Sequence, residues 1–325
     1  MTRKEFIRGA LGTGVVMSTA QLPALAGEDE NFFPTRGQYE RLILNYVHIK
    51  IGLPKPFSVL HISDTHLAEA YPDEPKAKLE QRRDRMRCFG GRQEEALRDS
   101  LVWAKENADY VVHTGDLIDW QSRANFDLVR KYFGPNMCGS MGNHEFSPTM
   151  WRSEVKETHD EKYKDLSRAV LSETYPFDIS FQSTVVNGVN FVTLDDVYGY
   201  VTAGQVERFH AEAKKGLPIV LCMHVPFMSD EIAIASNKFW MGGHWNRKSM
   251  KFTSAAVPDP DAARKVQMED PVTRDFIAYL KTELLLKGIL TGHLHFTIQD
   301  DFSPTARQYV VGGNYMFHGQ EVLFS

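Results

Sequence analysis

The chain has 325 residues, 42% of them hydrophobic, which is enough to bury a large core and excludes disorder throughout. A formal net charge of −5 gives no general attraction to a phosphate backbone, so dedicated nucleic-acid binding is not expected. Three cysteines, an odd number, exclude a disulfide framework, and the fold must rest on its core.

From the N-terminus, Arg3, Lys4 and Arg8 precede a weakly apolar run over 10–22 and then Ala24-Leu25-Ala26, the layout of a removable export signal over 1–26. Thr2-Arg3-Lys4-Glu5-Phe6-Ile7 has the form of a twin-arginine signal with Lys4 in place of the second arginine, so the general secretory route is equally open. An amphipathic helix is the alternative, opposed by Gly9, Gly12 and Gly14 at about 1 kcal/mol each. The run is shorter than the roughly 20 apolar residues of a membrane span, so no transmembrane segment is expected in the mature chain. A periplasmic or extracellular protein is expected, more acidic once Arg3, Lys4, Arg8 and Glu5 are removed, and a cytoplasmic one is the alternative if the segment is not a signal.

Residues 27–56 read as an extension ahead of a main domain over 57–325. Within it, apolar runs rich in β-branched residues at 57–62, 109–114, 218–223 and 286–291 read as buried strands. Helical spacing appears over 92–107, through Leu97, Leu101, Trp103 and Ala104. A second helix over 203–215 opens on a capping box of Thr202 and Gln205 and closes at Gly216, and a third starts with Asp270 as N-cap and Pro271. Asn187-Gly188 between 182–186 and 189–194 is a hairpin signal. Strand and helix alternation combined with a hairpin predicts a mixed, layered α/β sandwich.

Two connections with many charges and little periodicity, 68–91 and 227–269, read as insertions lying over the site. The charged stretch 151–173 reads as a solvated helix or helical pair. Arg82, Arg83, Arg85, Arg87 and Arg92 read as a solvated charge run in preference to phosphate contacts. Trp240-Met241-Gly242-Gly243-His244-Trp245-Asn246-Arg247 mixes stacking surfaces, donors and flexible backbone, as a substrate loop would, though this is the minority reading. Cys222, inside an apolar run, reads as core, while a Cys88–Cys138 bridge stays open as the less expected pairing.

Polar clusters end the apolar runs: Asp64-Thr65-His66, Gly115-Asp116-Leu117-Ile118-Asp119, Gly142-Asn143-His144-Glu145, His224 and Gly292-His293-Leu294-His295. The C-terminal ends of strands are where α/β proteins build their sites. Asp, Asn and His together suit a first-row metal pair, because hard cations take oxygen and Zn or Fe also accepts imidazole. Spacing of i, i+2 on extended backbone projects Asp64 with His66, and His293 with His295, to one side. Glycines at 115, 142 and 292 permit sharp turns and close backbone approach. Alone, each cluster is an ordinary polar pair or turn; five in order are not. His61 and His113 read as core, Asp195 and Asp196 as turn residues, and His318 as a surface residue.

In this order the clusters resemble the signature of the calcineurin-like metallophosphoesterases: D-x-H, G-D-x-x-D, G-N-H-E/D, H and G-H-x-H. The resemblance covers about Phe57 to His295. It implies two mixed central β-sheets flanked by helices and a dinuclear centre of Mn, Fe or Zn. Asp64, His66, Asp116 and His295 would bind one metal, and Asp116, Asn143, His224 and His293 the other. It further implies attack on phosphorus by a hydroxide held between the metals, with His144 assisting the leaving group and Asp119 orienting His144.

Trp120-Gln121 and Met141 stand where protein serine/threonine phosphatases carry Arg-Gly and Arg, and Asp119 where purple acid phosphatases carry Tyr. Few residues follow His295, too few for the second domain of periplasmic nucleotidases. A small phosphate ester is the expected substrate. Phosphomonoester hydrolysis is the first expectation, and phosphodiester hydrolysis on a nucleotide or lipid headgroup is the alternative. A nuclease or a non-catalytic binding module is less expected.

Overall fold

A computed structural model of the chain describes residues 41–148, 157–241 and 260–325. The export signal at 1–26 and positions 242–247 of the aromatic stretch lie outside the described residues.

The described strands form two sheets. The first holds β1 (Ile43–Ile49), β2 (Phe57–Ile62), β3 (Tyr110–Thr114), β4 (Met137–Ser140) and β11 (His318–Phe324), in the order β1-β11-β2-β3-β4. The second holds β5 (Phe181–Val186), β6 (Val189–Leu194), β7 (Ile219–Cys222), β8 (Leu286–Thr291), β9 (Ile298–Asp301) and β10 (Arg307–Val310), in the order β5-β6-β7-β8-β10-β9. Both are mixed: β2, β3 and β4 run parallel, as do β6, β7, β8 and β10, whereas β11 against β2, β5 against β6 and β9 against β10 are antiparallel.

Period-two patterning assigns the faces. Phe57 and Val59 of β2 and Val220 and Cys222 of β7 point into the layer between the sheets, with Val112, Phe191, Leu290 and Phe324. Leu60 and Ile62 point outward instead, onto α2 (Gln93–Asn107), α3 (Arg123–Tyr132) and α4 (Glu161–Thr174). Ile219 and Leu221 point outward onto α5 (Ala203–Ala213) and α8 (Pro271–Leu280). Strands covered on both faces are why these runs are continuously apolar. Burying a Leu, Ile or Phe side chain contributes about 2 kcal/mol, so this four-layer core needs no disulfide, and all three cysteines are free.

The capping box at Thr202 and Gln205, the Asp270 cap and the Asn187-Gly188 hairpin form as the sequence predicts. Several features differ. The stretch 27–56 includes β1, which pairs in parallel with β11. Of the charged stretch 151–173, positions 151–156 lie outside the described residues and the rest yields α4, one face of which is buried: Tyr163, Ser167, Leu171 and Thr174 pack inward at helical spacing while Lys162, Asp165 and Glu173 face water. Lys164 is also buried and bonds both oxygens of Asp195 at 3.1 and 3.0 Å, so Asp195 neutralises a core cation. The connection 68–91 contains α1 (Lys76–Phe89), and 227–269 contains α6 (Asp230–Met241) and α7 (Pro260–Glu269). Among the described residues no helix is long and apolar enough to cross a membrane.

Candidate metal centre

The polar clusters meet where β2, β3, β4, β7 and β8 end. Asp116 lies at the middle: its Oδ2 is 3.3 Å from His224 Nε2, 3.7 Å from His66 Nε2 and 3.9 Å from His144 Nε2. On one side Asp64, His66, Asp116 and His295 each offer a ligand atom, all within 4.8 Å of one another. On the other, Asp116, His224 and His293 do the same, so the two groups share Asp116. His66, Asp119 and His144 form a third such group.

Hydrogen bonds fix which ring nitrogen faces inward. His66 Nδ1 donates to Asp119 Oδ1 at 2.9 Å, leaving Nε2 to face His295 Nε2 at 3.2 Å. His224 Nδ1 donates to the Thr114 carbonyl at 2.7 Å, leaving Nε2 to face His293 Nδ1 at 3.1 Å. Imidazoles tied at one nitrogen to an acceptor are preset as metal ligands at the other. Asp64 Oδ1 and Asn143 Oδ1 are buried with no hydrogen-bond partner, which is costly for a polar atom unless a cation takes the lone pair. Converging imidazole nitrogens, unpartnered buried oxygens and a shared carboxylate suit two first-row cations.

The backbone is bent to do this. Asp64, His66, Asp116, His293 and His295 all have φ between 53° and 68°, in the left-handed region. Each costs about 1–2 kcal/mol in a non-glycine residue, and such strain concentrates at functional sites. Close approach explains two glycines. A Cβ on Gly142 would lie 2.1 Å from Asp116 Oδ1, and one on Gly292 would lie 1.8 Å from Ser63 Oγ.

A ring of contacts holds the ligands. Glu145, fully buried, accepts from the backbone N–H groups of Gly142, Asp116, Leu117 and Ile118 and from the Tyr175 hydroxyl, tying the turn after β3 to the turn after β4. His144 N donates to Asp116 Oδ1 at 2.9 Å. Asp196 accepts from the backbone of His224 and Val225, and the Tyr315 hydroxyl lies 3.3 Å from His295 Nδ1. His144 Nδ1 donates to the Asp119 backbone carbonyl at 3.0 Å and lies 2.9 Å from Asp119 Oδ1, and the Asp119 carboxylate receives both Nε and Nη2 of Arg85.

Electrostatics follow from three buried carboxylates. Burial works to raise Asp64, Asp116 and Asp119, but the charges of His295, His224 and Arg85, respectively, outweigh it and hold all three below the usual range. Burial would lower His144 and His224, yet the Asp116 charge pushes them up to about 9 and about 10. His66 and His293 go the other way, to about 4 and about 3, through burial and then the neighbouring His144 and His224.

The structure thus brings all of Asp64, His66, Asp116, His224, His293 and His295 together, with His144 and Asp119 beside them and Asn143 on the same turn as His144. His61, on the inner face, and His113, on the outer face beside Ile62, are both buried and bonded to Thr114 and Thr65, as their positions on the strands predict. His318, only half-buried, packs on Gly312. One reading of the charges is corrected: Arg85 is not solvated but 1% exposed and locked onto Asp119. Its signal was the i, i+4 pairing with Phe89 on one face of α1. Asp196 and Tyr315 had no local signal, because they reach the site only through strand order. Glu145 stood inside the motif, but its role appears only when four amides converge on it.

The model of the calcineurin-like phosphoesterases matches residues 57–296, more than half of the chain. No curated protein matches it. Among solved structures, a dimetal phosphatase from Danio rerio is 15% identical over 80% of this chain and 88% of its own, with a TM-score of 0.45. A putative 5'-nucleotidase from Staphylococcus aureus is 12% identical over 80% of this chain and 49% of its own (TM-score 0.35). A 5'-nucleotidase from Candida albicans is 10% identical over 84% and 48% (TM-score 0.38). The chain spans about half the length of both nucleotidases, and likenesses this distant carry no argument about substrate. On the family match, the chain belongs to the calcineurin-like phosphoesterases and is a phosphoric ester hydrolase.

Proposed function

We propose that the chain is an exported two-metal phosphomonoesterase. The observation that supports this most is the pair of ligand groups sharing Asp116. Asp64, His66, Asp116 and His295 would hold one cation, and Asp116, Asn143, His224 and His293 the other. When bound, Mn, Fe or Zn ions would neutralise phosphoryl charge and lower the pKa of a water.

The chain's own part is orientation and a proton. Asp119 holds His144 at Nδ1, so its Nε2 is the end that faces the Asp116 side of the site. A protonated imidazole there can donate to a departing alkoxide, which needs a proton more than a phenolate does. The left-handed turns at Asp64, His66, His293 and His295 preset the donor atoms before any ligand arrives.

The reading is tested with p-nitrophenyl phosphate and its bis ester, with and without chelator. The monoester should be hydrolysed faster, and chelation should abolish both activities. Faster diester hydrolysis would move the assignment to a phosphodiesterase, and chelator-resistant hydrolysis would remove the metal mechanism. Export is supported by the N-terminal pattern of cations, apolar run and Ala24-Leu25-Ala26. Expressed in a bacterial host, the chain should accumulate outside the cytoplasm with Gly27 as its first residue by intact mass. Full-length protein retained in the cytoplasm would remove that part of the proposal.

A further inference from the structure

We infer that Arg85 is a positioning residue, which through Asp119 sets the orientation of both His66 and His144; this rests on the functional reading above. Arg85 belongs to neither the metal-binding clusters nor the turns that carry them. It comes from α1, the helix inside the first long connection.

The geometry is specific. Arg85 Nη2 donates to Asp119 Oδ1 at 2.7 Å and Nε to Oδ2, the paired fork by which a guanidinium fixes the plane of a carboxylate. That same Oδ1 lies 2.9 Å from His66 Nδ1 and 2.9 Å from His144 Nδ1. Asp119, Arg85 and His66 are all buried, so no water can replace a lost partner without opening the site. One turn further along α1, Phe89 stacks on the His66 ring at 4.4 Å with an interplanar angle of 17°. The Arg85 guanidinium lies 4.5 Å over the other partner in that stack, the Phe89 ring. The helix therefore grips His66 twice, at its edge through Asp119 and on its face through Phe89.

The consequence differs for the two imidazoles. For His66, a fixed carboxylate at Nδ1 aims Nε2 at the position facing His295, as outer partners of metal-bound histidines do. For His144, Nδ1 donates to the Asp119 backbone carbonyl at 3.0 Å and lies 2.9 Å from the same carboxylate oxygen, so Arg85 acts on the second of these two contacts to the ring whose Nε2 would serve the leaving group. A lysine at 85 could keep the positive charge but not the two parallel bonds, so charge and fork are separable by substitution.

The test compares Arg85→Lys and Arg85→Met with Arg83→Met, an exposed control on the same helix, in the full mature chain. Three readouts are taken: Mn or Zn affinity, turnover on p-nitrophenyl phosphate against an alkyl phosphate, and the histidine Nδ1–H proton signals of the metal-free protein. Arg85→Met should weaken metal binding by roughly 10–100-fold, lose the shifted Nδ1–H signals and reduce alkyl phosphate turnover more than p-nitrophenyl phosphate turnover. Arg85→Lys should fall between wild type and Arg85→Met, and Arg83→Met should match wild type. If Arg85→Met does not fold, the lysine variant decides through the same three readouts. Wild-type metal affinity, substrate ratio and Nδ1–H signals in a folded Arg85 variant overturn the inference. A wild-type chain inert on every ester would overturn the functional reading alone, because metal affinity and the proton signals would still report on Arg85.

Discussion

An Asp116→Asn chain should fold, bind fewer than two metal ions and lose at least about 10³-fold in turnover. The substitution preserves the Oδ1 acceptor that receives His144 N at 2.9 Å, so the turn has no reason to collapse. It removes the anionic charge from the carboxylate that both ligand groups share, whose Oδ2 lies 3.3 Å from His224 Nε2 and 3.7 Å from His66 Nε2. Metal ions contribute several kcal/mol of transition-state charge stabilisation, and each 1.36 kcal/mol is a factor of ten, which gives the size of the loss. Metal content and turnover are measured together on protein whose unfolding transition matches wild type. Two ions retained with near-normal turnover would show that Asp116 does not join the two groups.

His144→Ala should separate metal binding from catalysis. Its ring is absent from both groups that share Asp116, so about two ions should remain bound. A general acid contributes about 10²–10⁴-fold when the leaving group is poor and little when it is a phenolate. Turnover on an alkyl phosphate should therefore fall by about 10²-fold or more, and on p-nitrophenyl phosphate by about ten-fold or less. Equal losses on the two esters would remove His144 from the proton-donor role and leave it as packing around Asp119.

How much of this was legible beforehand depends on how local the cause is. Runs such as 57–62 and 286–291 were readable as strands because both faces are buried, which makes apolarity continuous. The Asn187-Gly188 turn was readable because its φ values, 49° and 88°, are those few residues adopt. β1, β9 and β11 were not, because their identity depends on pairing partners far away in sequence: Ile43 finds His318, and Gln299 finds Tyr309. In the site, the motif residues were legible as a set, and their convergence follows from the parallel strands ending together. Arg85 was misread because a run of arginines looks solvated when counted by charge. Only the helix, with Arg85 and Phe89 on one face and Arg83 on another, separates the buried cation from the exposed ones. Lys164 was hidden in the same way, its amino group lying 4.6 Å from the Tyr200 ring and paired with Asp195 in the core.

The proposed function requires one site for two metal ions around Asp116. Metal counting on the purified chain, reconstituted with Mn, Fe or Zn and dialysed free of excess, tests this most directly. About two ions per chain are expected, together with restored hydrolysis of p-nitrophenyl phosphate. A content near zero after reconstitution, in protein that remains folded, would contradict it.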